Sequence, residues 1–136
     1  DEEMYSDLLH REEIEQLIKE ALTQDYFYFV YQPQYSVTDK KLRGFESLIR
    51  MKLPDGRVVS PAEFIPIAEM SNLIYQIDEY AIERALKEFA PYVNRKEKIM
   101  VSVNISANGF AREEFVPFVE KMLEKYNFPF DFALNY

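Results

Sequence analysis

Residues 44–50 read Gly-Phe-Glu-Ser-Leu-Ile-Arg, a run with the apolar weight of a buried strand that also carries one acid and one base. Strand side chains alternate between two faces. Gly44, Glu46, Leu48 and Arg50 therefore share one face, and Arg43, Phe45, Ser47, Ile49 and Met51 share the other. The second face suits packing under helices. The first mixes small, acidic, apolar and basic side chains, and that mixture needs an explanation.

The segments on either side place this strand in a repeating pattern. Upstream, YFYFVYQPQ (26–34) is dense in aromatic residues and reads as a strand, with Pro33 confining it to a sheet edge or to the strand's end. VTDKK (37–41) is the turn between the two strands, which then pair as an antiparallel hairpin over 26–34 and 42–52. LPDGR (53–57) carries Pro-Asp-Gly turn chemistry. SPAEF (60–64) announces a helix with Ser60 as N-cap, Pro61 at the first position and Glu63 as capping-box partner, ending near 71–72. A second helix follows, with Ile74, Ile77, Ala81, Ala85 and Phe89 on its apolar face, and stops before Pro91.

KIMVSVNIS (98–106) is the next strand, in which Ile99, Val101, Val103 and Ile105 alternate with Met100, Ser102, Asn104 and Ser106. Residues 113–126 predict a helix with a stripe of Phe118, Val119, Met122, Leu123 and Tyr126, where Pro117 is tolerable only in the first turn. FDFALNY (130–136) reads as one more strand. Ahead of all this, residues 6–23 form an amphipathic helix with Ile14, Leu17, Ile18, Ala21 and Leu22 on one face and Ser6 as N-cap.

The order is a helix followed by β-β-α-β-α-β, an α/β class in which alternating strands and helices imply parallel pairing. Two architectures satisfy it: a small four-stranded α/β sheet, or part of a (β/α) barrel, whose complete form takes ~250 residues. The polar faces favour the barrel. Tyr28, Val30, Gln32 and Gln34 share a face of the first strand, as do Glu46 and Arg50 on the second and Ser102, Asn104 and Ser106 on the third. Strands with one apolar and one polar side are expected where their ends line a site in a barrel mouth.

Composition narrows the function. The 136 residues are 48% apolar and 15% aromatic, enough for a core, and the formal charge of -8 argues against a polymeric nucleic-acid partner, which would need a basic stripe. There is no cysteine, so disulfides and thiolate metal sites are excluded, in keeping with a cytoplasmic chain. The opening DEEMYSDLLHREE lacks the pattern of a signal peptide, and no apolar run approaches the ~20 residues of a membrane span, so no direct membrane contact is expected. His10 is the only histidine and lies in the first helix, which argues against histidine general-base chemistry.

Glu46 and Asn104 offer hard oxygen donors suited to Mg²⁺ or Mn²⁺, and the Arg50 guanidinium suits a phosphate. From the residues alone a plainer reading stands beside this one. Glu46 with Arg50 also fits a solvated ion pair, and Asn104 before Ser-Ala-Asn-Gly also fits a turn or cap residue. The aromatic residues are more simply core than base-stacking platforms.

Four segments in order, YQPQY (31–35), GFESLIR (44–50), SPAEFIPIAE (60–69) and VSVNIS (101–106), resemble the EAL domain family, the bacterial phosphodiesterases of cyclic di-GMP. The family's Glu-Ala-Leu signature stands here as Glu46-Ser47-Leu48, with the serine on the helix-facing side. The resemblance implies a TIM-like (β/α) barrel in which divalent cations, Mg²⁺ or Mn²⁺, activate water to open the cyclic dinucleotide to its linear form. It carries metal binding onto Glu46 and Asn104, and nucleotide contact onto Gln32, Leu48 and Arg50. It makes residues 1–25 a linker helix, of the kind that joins such domains to an upstream cyclase or sensor domain.

Residues 26–136 then form a truncated EAL domain, its N-terminal half. The family's further acidic ligands, its Asp-Asp pair, a lysine and a final glutamate have no counterpart here; at the first of those positions stands Leu134-Asn135-Tyr136. The expectations are therefore a half barrel that self-associates through exposed sheet edges and is inactive as an isolated chain, from a parent phosphodiesterase of bacterial second-messenger signalling. The alternative is a degenerate, non-catalytic module that senses the nucleotide or mediates protein interaction.

Overall fold

Six residues separate the first two strands, too few for the crossover that a parallel pair requires, so β1 (Phe27–Tyr35) and β2 (Leu42–Lys52) form a hairpin. Its turn closes by hydrogen bonds from Ser36 N to Lys41 O at 2.8 Å and from Lys40 N to Ser36 O at 3.0 Å, with Lys40 in the left-handed region. The computed structural model describes residues 1–92 and 100–128, and the backbone of 132–135. The chain falls into two units, residues 1–28 with 49–77 and residues 29–48 with 78–136. β1, β2 and α3 (Ile74–Phe89) each contribute residues to both.

In the first unit α1 (Glu2–Gln24) buries Ile14, Ile18 and Ala21. The helix starts earlier than the 6–23 predicted from periodicity. Asp1 rather than Ser6 caps it, its Oδ1 accepting from Met4 N at 2.8 Å, and Glu2 and Glu3 add charge that favours the helix N-terminus. The left-handed Asp25 ends it.

β3 (Val58–Val59) pairs antiparallel with the end of β2 in the register Met51 to Val59 and Lys52 to Val58. The predicted Pro-Asp-Gly turn makes this return, with Gly56 at φ 92°. Two residues are too few for alternation to reveal a strand, so β3 was not expected. α2 (Pro61–Met70) begins as its sequence dictates, Ser60 Oγ accepting from Ala62 N at 3.2 Å and Pro61 in the first turn. The Glu63 carboxylate pairs with His10 Nε2 of α1 at 2.8 Å instead of appearing as a capping-box partner. Phe27 and Phe64 meet at the centre with ring centroids 5.5 Å apart, both essentially without exposure.

In the second unit the strands lie in the order β1-β2-β4-β5, where β4 is Met100–Asn104 and β5 is Phe132–Asn135. β1 is an outer strand, which is how Pro33 is accommodated within it. β2 pairs parallel with β4, and β4 parallel with β5, Asn104 standing opposite Asn135. The core between sheet and helices is built by Ala81, Ile82, Ala85 and Leu86 of α3, Val101 and Val103 of β4, Ile105, and Met122 of α4 (Phe115–Lys125). Phe118, Val119, Leu123 and Tyr126 pack against it as the predicted stripe requires, and Pro117 lies third in α4, in its first turn. A short 3₁₀ turn over Ala90–Tyr92 follows α3 and holds Pro91 outside the helix. Residues 98–99, 130–131 and 136, which the sequence assigned to strands, lie outside the described residues.

β4 stops at Asn104, not at 106 as its alternation suggested. Ile105 is buried, and Ser106 turns away to bond with α3. On the helix-facing side of β2, Ser47 is 4% exposed and its hydroxyl has no hydrogen-bond partner among the described residues. A buried unsatisfied hydroxyl costs about 1–3 kcal/mol. Ser47→Ala should therefore raise the free energy of unfolding by roughly 1 kcal/mol in urea titration. A loss of stability would show that the hydroxyl is bonded.

Candidate functional site

The parallel register of β2 and β4 sets Glu46 opposite Ser102, and alternation places Asn104 on the same face two residues further along. The two side chains meet diagonally: Asn104 Nδ2 donates to Glu46 Oε2 at 3.1 Å. Glu46 is half-buried and Asn104 exposed, so the pair opens to solvent at the end of β4. What permits this approach is Gly44, two residues before Glu46 in the same ladder. A Cβ at Gly44 would lie 2.0 Å from the Met100 carbonyl oxygen, so only glycine lets the start of β4 lie against β2.

The other predicted residues are less tightly organised. Gln32 is exposed on β1, and Leu48 is half-buried on β2; among the described residues neither is bonded to the Glu46–Asn104 pair. Arg50 belongs to the first unit, where it is half-buried and its Nη1 donates to the Ile49 carbonyl at 2.8 Å. That contact leaves the other guanidinium donors for a phosphate oxygen.

In this contact Asn104 turns its amide nitrogen toward Glu46, so the carboxylate and the amide offer two hard oxygens to one Mg²⁺ or Mn²⁺ only when the amide rotates to bring its Oδ1 round. By their chemistry Glu46 and Asn104 would then supply two oxygen ligands to such a cation. Among the described residues no group of three or more His, Asp or Glu side chains is placed to hold a metal.

One arrangement next to this pair was not expected from the sequence. Asp78, in the first half of α3, is 5% exposed and receives two hydrogen bonds from Ser106: backbone N to Oδ1 at 3.2 Å and Oγ to Oδ2 at 2.6 Å. Burial pushes the Asp78 carboxyl above the usual range, while the two bonds from Ser106 pull it the other way. The signal was available, because Asp78 interrupts the apolar stripe of Ile77, Ala81 and Ile82. Ser106, assigned by alternation to the polar face with Ser102 and Asn104, is claimed by Asp78 because the strand has already ended. Ser102 itself is buried.

Further along α3, Tyr31 donates to Glu88, and burial with the adjacent carboxylate raises the Tyr31 phenol. Glu83 receives bonds from Lys125 Nζ and Tyr126 Oη, both at 2.8 Å, and the Lys125 bond leads in holding its carboxyl below the ordinary range. These tie β1 and α4 to α3. None of the helices among the described residues is long and apolar enough to cross a membrane.

Comparison with known proteins bears on the family and the fold. The family model of the EAL domain matches residues 15–135. The signalling protein YkoW of Bacillus subtilis is 37% identical over 115 residues, which are 85% of this chain and 14% of YkoW. The cyclic di-GMP phosphodiesterase PA2567 of Pseudomonas aeruginosa is 28% identical over 105 residues, 77% of this chain and 18% of that protein. Among solved structures, the EAL enzyme Bd1971 in its cGMP-bound form superposes with a TM-score of 0.84 at 30% identity, over 96% of this chain and 38% of that one. The chain thus spans under a fifth of these two curated relatives and well under half of that structure. With a family model covering nearly all of its residues and a fold shared with EAL enzymes as part of a TIM-like barrel, the chain belongs to the EAL domain family.

Proposed function

We propose that this chain is part of a metal-dependent phosphodiesterase domain that hydrolyses cyclic di-GMP to the linear dinucleotide. The observation that carries the reading is the 3.1 Å approach of Asn104 to Glu46 across two parallel strands of an EAL-family chain. Glu46 and Asn104 hold the divalent cation, Mg²⁺ or Mn²⁺. Bound there, such a cation supplies a water of lowered pKa and neutralises charge on the phosphodiester. Arg50 binds a phosphate oxygen with its remaining donors, and Gln32 and Leu48 contact the nucleotide. Residues 1–25 serve as the linker to an upstream cyclase or sensor domain, with residues 26–136 as the N-terminal half of the EAL domain, and the reaction takes place in the cytoplasm. The outer strands β1 and β5 offer edges through which two copies associate.

A second reading, a nucleotide-binding module without turnover, is favoured by the single carboxylate at the pair and by Asn135 standing in register beside Asn104. On this second reading the nucleotide is bound and not hydrolysed.

Calorimetric titration with Mn²⁺ and then cyclic di-GMP tests both readings. Glu46→Ala should weaken Mn²⁺ binding by at least about tenfold, since a hydrogen bond or ligand bond to a charged group is worth roughly 1.5–3 kcal/mol. Arg50→Ala should weaken nucleotide binding about tenfold for the same reason, leaving Mn²⁺ affinity unchanged. Equal affinities in wild type and variants would sink the site assignment, and turnover by this polypeptide would sink the second reading.

A further inference from the structure

We propose that Asp78 is a positioning residue for Asn104, holding the end of β4 in place from α3 through Ser106. The inference rests on reading Glu46 with Asn104 as the cation-binding pair. Asn104 is the last residue of β4, so the ladder no longer restrains the chain beyond it. Two residues later both polar groups of Ser106 that can donate do so to one carboxylate, at 3.2 and 2.6 Å. Two bonds from one residue to a rigid acceptor on a helix fix both the position and the rotation of the backbone there.

Gly109 closes the arrangement. Its amide donates to Ser106 O at 3.0 Å, forming the turn, and a Cβ on it would stand 2.6 Å from Asp78 Oδ2 and 2.9 Å from Ser106 Oγ. The turn is thus packed directly on the carboxylate, with no room for a methyl group. Ile105, between the exposed Asn104 and the bonded Ser106, is 3% exposed and sits in the core cluster. Asn104 is thereby presented to solvent from a segment whose next two residues are immobilised, one by apolar packing and one by Asp78.

A buried carboxylate is an expensive way to stabilise a fold, because an apolar side chain of similar volume would serve as well or better. An acceptor with two oxygens, however, is what a serine N–H and hydroxyl need if the turn is to have one orientation. Partners that orient a metal-binding side chain typically matter by 10–100-fold in metal affinity.

The test uses the ¹⁵N-labelled chain and Asp78→Ala, Asp78→Asn, Ser106→Ala and Gly109→Ala variants. Asparagine can accept from Ser106 N and donate to Ser106 Oγ, so it keeps two bonds; alanine keeps none. Asp78→Ala is expected to shift the Asn104 side-chain amide resonances and speed hydrogen exchange at residues 104–106, leaving Gly44–Ser47 unchanged, and to weaken Mn²⁺ binding about tenfold. Asp78→Asn should restore the wild-type Asn104 signals and hold the Mn²⁺ affinity within roughly threefold. If Asp78→Ala does not fold, Ser106→Ala and Gly109→Ala, which disturb the same anchor from its other side, take its place with the same expectations.

Unchanged Asn104 resonances in the folded variants would overturn the proposal. So would a lower unfolding midpoint unaccompanied by any change at Asn104 or in Mn²⁺ affinity, which is the mark of a merely structural role. If wild type itself fails to bind Mn²⁺, the cation-site reading falls, and the Asn104 resonances alone still decide whether Asp78 positions that residue.

Discussion

Replacing Gly44 with alanine is expected to destabilise the chain by about 3 kcal/mol or more, and in folded molecules to separate Glu46 from Asn104. The added Cβ would lie 2.0 Å from Met100 O, 2.8 Å from Met100 C and 3.0 Å from Met100 N. All three are backbone atoms of a paired strand, so no side-chain rotation relieves the clash. Either β4 moves away from β2, breaking the register from Gly44–Met100 to Ser47–Val103, or β2 buckles next to Glu46. Both outcomes disturb the pair through which the site is read. Urea unfolding measures the stability, and Mn²⁺ titration of the folded variant measures the separation. Gly56→Ala is the control: it has open space around it but φ of 92°, so it should cost only backbone strain of about 1 kcal/mol. If Gly44→Ala cost no more than that, the close approach of the strands would be wrong.

Phe64→Ala should produce a loss of similar size in the first unit, about 3–5 kcal/mol. Phe64 has no exposure, and its ring meets Phe27, itself 1% exposed, at 5.5 Å. Truncation leaves a cavity beside the Phe27 ring in a unit where α1 and α2 pack on one another, and closing it would disturb that packing. Against a typical total of about 5–15 kcal/mol, such a loss is roughly a fifth or more of the stability of an ordinary domain. The urea midpoint reads it directly. A cost below about 1 kcal/mol would mean that Phe64 is not central to the core.

The positions of these two residues show what local pattern reveals and what it leaves out. Phe64 could be assigned to the core from its place in SPAEFIPIAE, a capped helix with apolar spacing. Gly44 could be seen as small, but nothing near it in the sequence says that the Met100 carbonyl lies against it. That contact joins segments 56 residues apart and exists only because β2 and β4 pair in one particular register.

The same division runs through the site. Periodicity and turn chemistry determined the helices and the hairpin, because each depends on neighbours within a few residues. The structure decided that the Pro33 strand is an outer one and that α4 starts at Phe115, which puts Pro117 in its first turn. The family motifs pointed to Glu46 and Asn104. Tertiary structure alone decided that their side chains bond to each other, since that depends on the parallel register across an intervening pair of helices. It also decided that β4 ends at Asn104, that Ser106 belongs to Asp78 and not to the polar face, and that the Ser47 hydroxyl is buried without a partner. Alternation predicts which way a side chain points only while a strand lasts, and just past the end of β4 the Ser106 N–H bonds to Asp78, a partner that local sequence does not reveal.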